Sequence, residues 1–310
     1  MSILITGAEG FVGRNLAELF LKNNYPVLAP KLAELDLTDA EAVKAYLSKN
    51  PVEAIVHSAT VLMQNKAYPT DTCEKNLRMF FNLLRHKAPG AKLITLGSGS
   101  EYDRRHWQKK MREDYFDEHI PADGHSYAKY LISKHIGESA DESLVCLRLF
   151  GIFGRYEDYR YKFISNAIVK NLAGLPIVIN QNVAYDYLYI NDFFRIVEHF
   201  VKHKPKSRIF NATPTSSIDL VSIANLINQV GASKSEIKVL NNGLGVEYSG
   251  DNTKLLAELG DFKFLPYSEA IADLYSYYTG IKDQLDIAAV KQDDFLTYAK
   301  KLHSAYFDKK

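Results

Sequence analysis

Ile3-Leu4-Ile5 is a run of consecutive apolar residues, without the polar alternation of a half-solvated strand, and predicts a strand buried on both faces. Similar short runs recur at Pro26–Ala29, at Ala54–Thr60, at Lys92–Leu96 and at Val145-Cys146-Leu147. The strand count reaches four at Ala54 and five at Lys92, which leaves a third around Leu35 and Leu37. Between the runs, apolar residues recur at helical spacing. Leu16, Leu19 and Phe20 share one side of a helix, and another helix runs through Asn76 to Leu84. Glu34 to Asp39 opens a helix through about Leu47, with Thr38 as its cap and Glu41 at capping-box spacing. Strand and helix alternate, which predicts an α/β fold around a doubly wound parallel sheet with right-handed crossovers. Beyond residue 213 the pattern changes to amphipathic helices at Ser222–Val230, Asp251–Leu259 and Ala270–Tyr278. From Asp286 to the end runs a helical extension charged on both sides, which packs on the domain or on a partner subunit.

The chain of 310 residues is long enough for one large or two modest domains. Its net charge of +1 gives no reason to expect nucleic acid or an acidic membrane as partner. Cys73 and Cys146 are isolated from other Cys or His at metal-ligand spacing, which points to a reducing compartment, no disulfide and no metal. The sequence enters its first strand without the basic and apolar regions of a signal peptide, and no apolar run is long enough to span a bilayer. The expected location is the cytoplasm. Arg104, Arg105, Trp107, Lys109 and Lys110 form a basic, aromatic stretch, but Glu113, Asp114, Asp117 and Glu118 follow, so 103–123 reads as a mixed-charge loop or lid.

The first strand runs into Thr6-Gly7-Ala8-Glu9-Gly10-Phe11-Val12-Gly13 and then a helix. Gly7, Gly10 and Gly13 allow a tight turn, close backbone approach and close helix packing. Free N–H groups at the helix start, Phe11 onward, then face a pyrophosphate. A glycine-rich turn without ligand is the bland alternative; the order strand, glycines, helix favours a dinucleotide. At the end of the second strand Ala29-Pro30-Lys31 stands where an acidic residue often holds the adenosine ribose. Lys31, with Arg14 after the last glycine, suits a 2′-phosphate and hence NADP; as two solvated cations they leave NAD equally open. Ala59 and Thr60 are small residues past which a cofactor can lie, and His57 reads as a structural strand-end residue.

A phenol one helical turn from an ammonium is an acid/base pair, because the cation favours phenolate and draws the tyrosine down from about 10. Tyr-x-x-x-Lys occurs at Tyr130, Tyr278 and Tyr306, and most such matches are solvated helix faces. Tyr130 with Lys134 is distinguished by Ser98, upstream at the C-terminal end of the fifth strand, where ligands bind in doubly wound sheets.

Taken together, Thr6–Gly13, Asp36-Leu37-Thr38, His57-Ser58-Ala59, Ser98 four residues before Tyr102, and Tyr130 to Lys134 followed by Glu138 resemble the extended short-chain dehydrogenase/reductase family. The likeness continues through Arg148–Gly154, Asp186–Asp192 and Asp251–Lys254, over about residues 1–280. It implies a Rossmann-type domain over 1–155 with returning segments near 183–212, and a smaller C-terminal α/β substrate domain over 156–182 and 213–310. It also implies that Ser98 holds the substrate oxygen, Tyr130 transfers the proton, and Lys134 binds the nicotinamide ribose. Asp36, Leu37, Ala59 and Thr60 would line the cofactor, and Ser100, Arg160 and Lys162 the substrate; Arg160 and Lys162 read equally well as solvated cations.

Within that family the dehydratase branch carries an Asp-Glu pair after the catalytic Ser or Thr, where this chain has Gly99-Ser100. The GDP-fucose-synthase-like branch, resembled in the Glu-Leu-Asp-Leu and Leu-Gly-Ser stretches, epimerises with a Cys and a His, where this chain has Ser100 and about Tyr156. Tyr185 stands where many members place a phosphate-binding Arg, and Gly151 where an Asn is usual. The resemblance therefore implies NADPH-dependent reduction of a 4-keto group on a nucleotide-activated deoxy sugar, in surface-polysaccharide sugar biosynthesis, by a homodimer. A nucleotide-sugar 4-epimerase is the neighbouring alternative, and a non-catalytic dinucleotide-binding scaffold or sensor the alternative of another class.

Overall fold

The first apolar run forms β1 (Ile3–Thr6), buried at every residue, and passes through the glycine turn into α1 (Phe11–Lys22). β2 (Val27–Leu28), α2 (Ala40–Lys49), β3 (Ala54–His57), α3 (Thr72–His86), β4 (Lys92–Ser98), α4 (Gly124–Glu138) and β5 (Leu144–Leu149) follow. β6 (Gly151–Phe153), α5 (Phe163–Leu172), β7 (Ile177–Asn182), β8 (Ala184–Tyr185), β9 (Tyr187–Tyr189) and α6 (Ile190–Lys202) lead to β10 (Ile209–Ala212). The rest comprises β11 (Ile218–Asp219), α7 (Leu220–Val230), β12 (Ile237–Leu244), α8 (Thr253–Leu259), α9 (Tyr267–Gly280), α10 (Ile287–Lys291) and α11 (Asp294–Phe307). This computed structural model describes residues 1–63 and 67–307. The Tyr-x-x-x-Lys match at Tyr306 ends on Lys310, outside the described residues.

Six strands form one parallel sheet in the order β10-β5-β4-β3-β1-β2. Alternate strand residues feed two cores, as the pleat requires. Ile3, Ile5, Val56, Ile94 and Leu147 pack with Phe20 of α1 and with Phe194 and Phe200 of α6. Leu4, Ile55, Leu93 and Cys146 pack on the other face with Val43, Phe80, Leu83, Ile132 and Ile136 of α2, α3 and α4. Both faces are covered, which is why the strand sequences lack polar alternation. The order reverses at β1, with β2 on one side and β3 on the other, and this opens a crevice at the strands' carboxyl ends. The C-terminal half adds short pairs: β6 with β9 and β7 with β12, both parallel, and β8 with β11, antiparallel. No described helix is long and apolar enough to cross a membrane.

Two local expectations are corrected. The stretch around Leu35 and Leu37 is turns, not a third strand, and the sixth strand is β10, arriving from far along the chain. The cap of α2 is Asp39, whose Oδ1 accepts from Glu41 N at 2.9 Å and Ala42 N at 3.1 Å. Thr38 is otherwise engaged: its hydroxyl donates to Asp36 Oδ1 at 2.7 Å.

Candidate active site

At the crevice, Gly7 adopts φ +68°, and a Cβ there would lie 2.7 Å from the Ala59 backbone. A Cβ on Gly13 would lie 2.3 Å from Gly7 O. These two glycines thus close the loop on β3 and on α1. Gly10 has more room, with Gly7 O at 3.3 Å from an added Cβ, and it begins α1 without any side-chain cap. The first amides of α1 are therefore left for an anion. Thr6 Oγ1 contacts His57 Nδ1 at 2.9 Å and accepts from Ala59 N at 3.2 Å, pinning the end of β3 beside the loop. Burial pushes the His57 imidazole down to about 3, so it is neutral and structural. Thr60 and Val61 are held by Asn76 Oδ1 of α3. Asp36 and Lys31 are exposed at the outer end of the crevice while Leu37 is buried. Arg14 instead lies along α1, 3.2 Å from Glu18 and 3.7 Å over the Tyr156 ring. This cradle fits a dinucleotide: a side chain at Gly7 or Gly13 would fill it, and free helix amides point at it.

Ser98 ends β4 and caps a single turn, Gly99–Tyr102. Its Oγ accepts from Ser100 N at 3.2 Å and from Ser100 Oγ at 2.9 Å. Its backbone N–H donates to Glu101 Oε1 at 2.7 Å. Glu101 is fully buried, and its other oxygen takes Arg148 Nε at 2.7 Å and the Ser133 hydroxyl.

α4 supplies two further groups. The Tyr130 phenol donates to Asp117 of the 103–123 segment, and Lys134 Nζ reaches the same carboxylate at 2.7 Å. Both members of this pair converge on Asp117. Burial and the Asp117 carboxylate raise the Tyr130 pKa against the opposing pull of Lys134, the reverse of the expected lowering. One position earlier on the helix, Lys129 is buried and its Nζ donates to Leu96 O of β4 at 2.7 Å. One turn before it, His125 stacks on Tyr68 at 4.6 Å between ring centroids. Neither Lys129 nor His125 was singled out in the sequence. The available signal was a lysine between apolar neighbours, with a titratable residue four positions upstream.

Beside Ser98 opens a cavity of about 360 Å³ whose walls include Arg104, Trp107, Phe150, Lys162, Tyr185 and Tyr248. Trp107 Nε1 is buried without a hydrogen-bond partner among the described residues, and the buried Tyr248 phenol lies near the Ser98 side chain. Phe150 is held edge-on between two glycines: an added Cβ would meet its ring at 2.7 Å from Gly99 and 2.6 Å from Gly250. Of the two expected phosphate contacts, Lys162 lines the cavity, while Arg160 pairs with Asp158 at 2.8 Å and is half exposed. Tyr156 points to Glu18 at 2.9 Å. The 103–123 segment forms cavity wall because Met111 pairs with the chain at Ser249–Asp251. No group of three His, Cys, Asp or Glu placed to hold a metal occurs among the described residues.

Residues 3–213 match the model of the NAD dependent epimerase/dehydratase family. The chain is similar to an ADP-L-glycero-D-manno-heptose-6-epimerase of Pseudomonas paraeruginosa, 25% identical, over 96% of this chain and 95% of that one. A GDP-L-fucose synthase of Azorhizobium caulinodans is 33% identical over 105 residues, covering 32% of this chain and 34% of that relative. The structure of a GDP-L-fucose synthetase from Naegleria fowleri bound to NADP superposes with a TM-score of 0.76 at 17% identity, covering 91% of this chain and 94% of that one.

Proposed function

The chain belongs to the NAD dependent epimerase/dehydratase family, and on that premise we propose that it reduces the 4-keto group of a nucleotide-activated deoxy sugar with NADPH. Its relatives are nucleotide-sugar enzymes, and the chain is an NAD(P)-dependent oxidoreductase or epimerase. The observation that carries the finer reading is the Ser98–Ser100 pair. The group beside Ser98 is a second hydroxyl 2.9 Å away, where dehydration would need carboxylates and carbon-acid epimerisation a base. Tyr156, near the place of an epimerase histidine, donates its phenol to Glu18 of α1.

In this reading the nicotinamide supplies a hydride to the sugar carbonyl. Gly7, Gly10, Phe11 and Gly13 hold the pyrophosphate, with Asp36, Leu37, Ala59 and Thr60 along the dinucleotide. Ser98 hydrogen-bonds the carbonyl oxygen as charge develops on it, and Ser100 orients that hydroxyl. α4 supplies the proton and the ribose contact from one of its two one-turn pairs, Tyr130–Lys134 or His125–Lys129. Lys162 lies in the cavity where a diphosphate would sit, and Lys31 stands at the end of β2 for a 2′-phosphate.

The test is incubation with a panel of 4-keto nucleotide sugars while the absorbance of NADPH and of NADH is followed. Stoichiometric consumption of NADPH supports the reading. Sugar inversion without net cofactor consumption would show a 4-epimerase, and tight cofactor binding without turnover a scaffold.

A further inference from the structure

α4 carries two titratable pairs at one-turn spacing, and the structure treats them differently. Tyr130 and Lys134 satisfy each other through Asp117, on the side of α4 that faces the 103–123 segment. Lys129 is turned toward the sheet. Leu96 O takes one of its three ammonium donors, and its charge acts on His57 at the end of β3, on His125 and on Glu101. Glu101 is already engaged by Arg148, Ser133 and Ser98, so Lys129 is a buried cation without an ion-pair partner of its own among the described residues. Such a group is destabilising where it stands, and an apolar residue would pack there better. Its position is the carboxyl end of the sheet, between the glycine loop and Ser98.

His125 belongs to the same corner. Its Nδ1 is buried without a partner among the described residues. Arg104, a cavity wall residue, acts on His125, on Tyr68 stacked against it, and on Tyr248 beside Ser98. The imidazole and the cavity wall are thus linked through one guanidinium, that of Arg104.

Resting on the reading above, we infer that His125 and Lys129 are the ligand-facing pair of α4, His125 carrying the proton of the sugar oxygen and Lys129 binding the ribose end of the cofactor. In reduction, hydride adds to C4 and the carbonyl π pair moves onto oxygen. The imidazolium N–H of His125 gives its proton to that oxygen, leaving neutral imidazole, alcohol and NADP⁺. In reverse, neutral imidazole takes the alcohol proton as hydride leaves C4. Lys129 keeps a positive charge one turn away throughout. The groups facing the imidazole are Tyr68, Lys129, Asp123 and Arg104, and burial with the neighbouring cations pushes it down to about 4. The unliganded site thus holds the base form at neutral pH, and the rate of reduction should climb as pH falls.

Five variants and one wild-type measurement decide it. Lys129→Met should weaken NADPH binding in calorimetry by at least about tenfold and by more than Lys134→Met does. His125→Phe should lower turnover by about 10²–10⁴, the usual worth of a positioned acid/base, and by more than Tyr130→Phe does. His125→Tyr, a phenol at the same spacing from Lys129, should restore part of the rate and flatten the rise toward low pH. In the wild type, the ring resonance that disappears in His125→Phe should shift when NADPH saturates the protein. A ring resonance unmoved by saturating NADPH, or a larger affinity loss in Lys134→Met than in Lys129→Met, overturns the inference. Should no 4-keto sugar react with the wild type, the proposed function fails, while the affinities and the ring shift still decide the pair.

Discussion

Arg148 and Glu101 form an ion pair of 2.7 Å that solvent does not reach, and the second oxygen of Glu101 accepts the backbone N–H of Ser98. The candidate active-site hydroxyl is thereby tied to a buried charge pair reaching from β4 to β5. Removing one partner leaves the other charge buried and uncompensated. Arg148→Met should lower stability by about 3–5 kcal/mol, and the double change Arg148→Met, Glu101→Leu by less. Urea unfolding of both variants checks this. A double variant that is weaker than the single one would refute the account.

The glycine loop separates binding from folding. Gly10→Trp should abolish dinucleotide binding in calorimetry yet leave the melting temperature nearly unchanged, because Gly10 is exposed and its added Cβ meets only Gly7 O, at 3.3 Å. Gly13→Val should destabilise the fold by about 1–3 kcal/mol or more through overpacking against Gly7. Unaltered cofactor affinity in Gly10→Trp would remove the glycine turn from the site.

The neighbourhood of Tyr130 makes a titration prediction. Its pKa is raised by burial first and by Asp117 next, with Lys134 opposing. Asp117→Asn should therefore lower the phenol pKa, read from the Tyr130 ring carbon shift against pH. A rise would mean that the carboxylate does not set it.

Glu157 and Asp186 are buried carboxyls pushed up to about 7 by desolvation. In the unfolded chain both ionise near about 4. The folded state then holds more of their protons between these values, so the contribution of these two groups to stability is greatest at low pH and falls as pH rises from about 4 to 7, by up to about 1.4 kcal/mol per pH unit for each group. Unfolding free energies of the wild type and of a variant lacking both carboxyls, compared at a series of pH values, should differ by that decline. Glu157→Gln with Asp186→Asn should remove it, and an unchanged slope in that double variant would show that other groups cause the fall.

For the cofactor, Lys31→Glu should weaken NADPH more than NADH, because it places a negative charge where a 2′-phosphate would lie. Tighter binding of NADH than NADPH by the wild type would sink the NADP reading.

The parallel sheet and the glycine turn were legible because each follows from a local pattern: continuous apolar runs for β1, β3, β4 and β5, and Gly7, Gly10 and Gly13 between strand and helix. The facing of α4 was not. Ser126, Ala128, Lys129, Tyr130, Ile132, Ser133 and Ile136 are all buried, so the helix has no clear polar side from which a register could be read. Asp117, which captures Tyr130 and Lys134, comes from an inserted segment whose path follows from its pairing at Met111 with Gly250, far along the chain. The same pairing delivers Arg104 and Trp107 to the cavity. No short-range signal announces a contact of that separation.

The clamped ring of Phe150 has a consequence for how this site changes. Gly99 belongs to the turn that carries Ser98, and Gly250 to the segment behind Tyr248, so one aromatic ring spaces the candidate hydroxyl from the opposite wall. Phe150 is a feeler gauge left in the gap. An added methyl at either glycine would push the ring or spread the walls, and either would shift Ser98 relative to the sheet. The volume of the cavity is therefore set more freely at its far rim, around Val183 and the exposed Val246, where a changed side chain leaves the clamped ring and the hydroxyl in place.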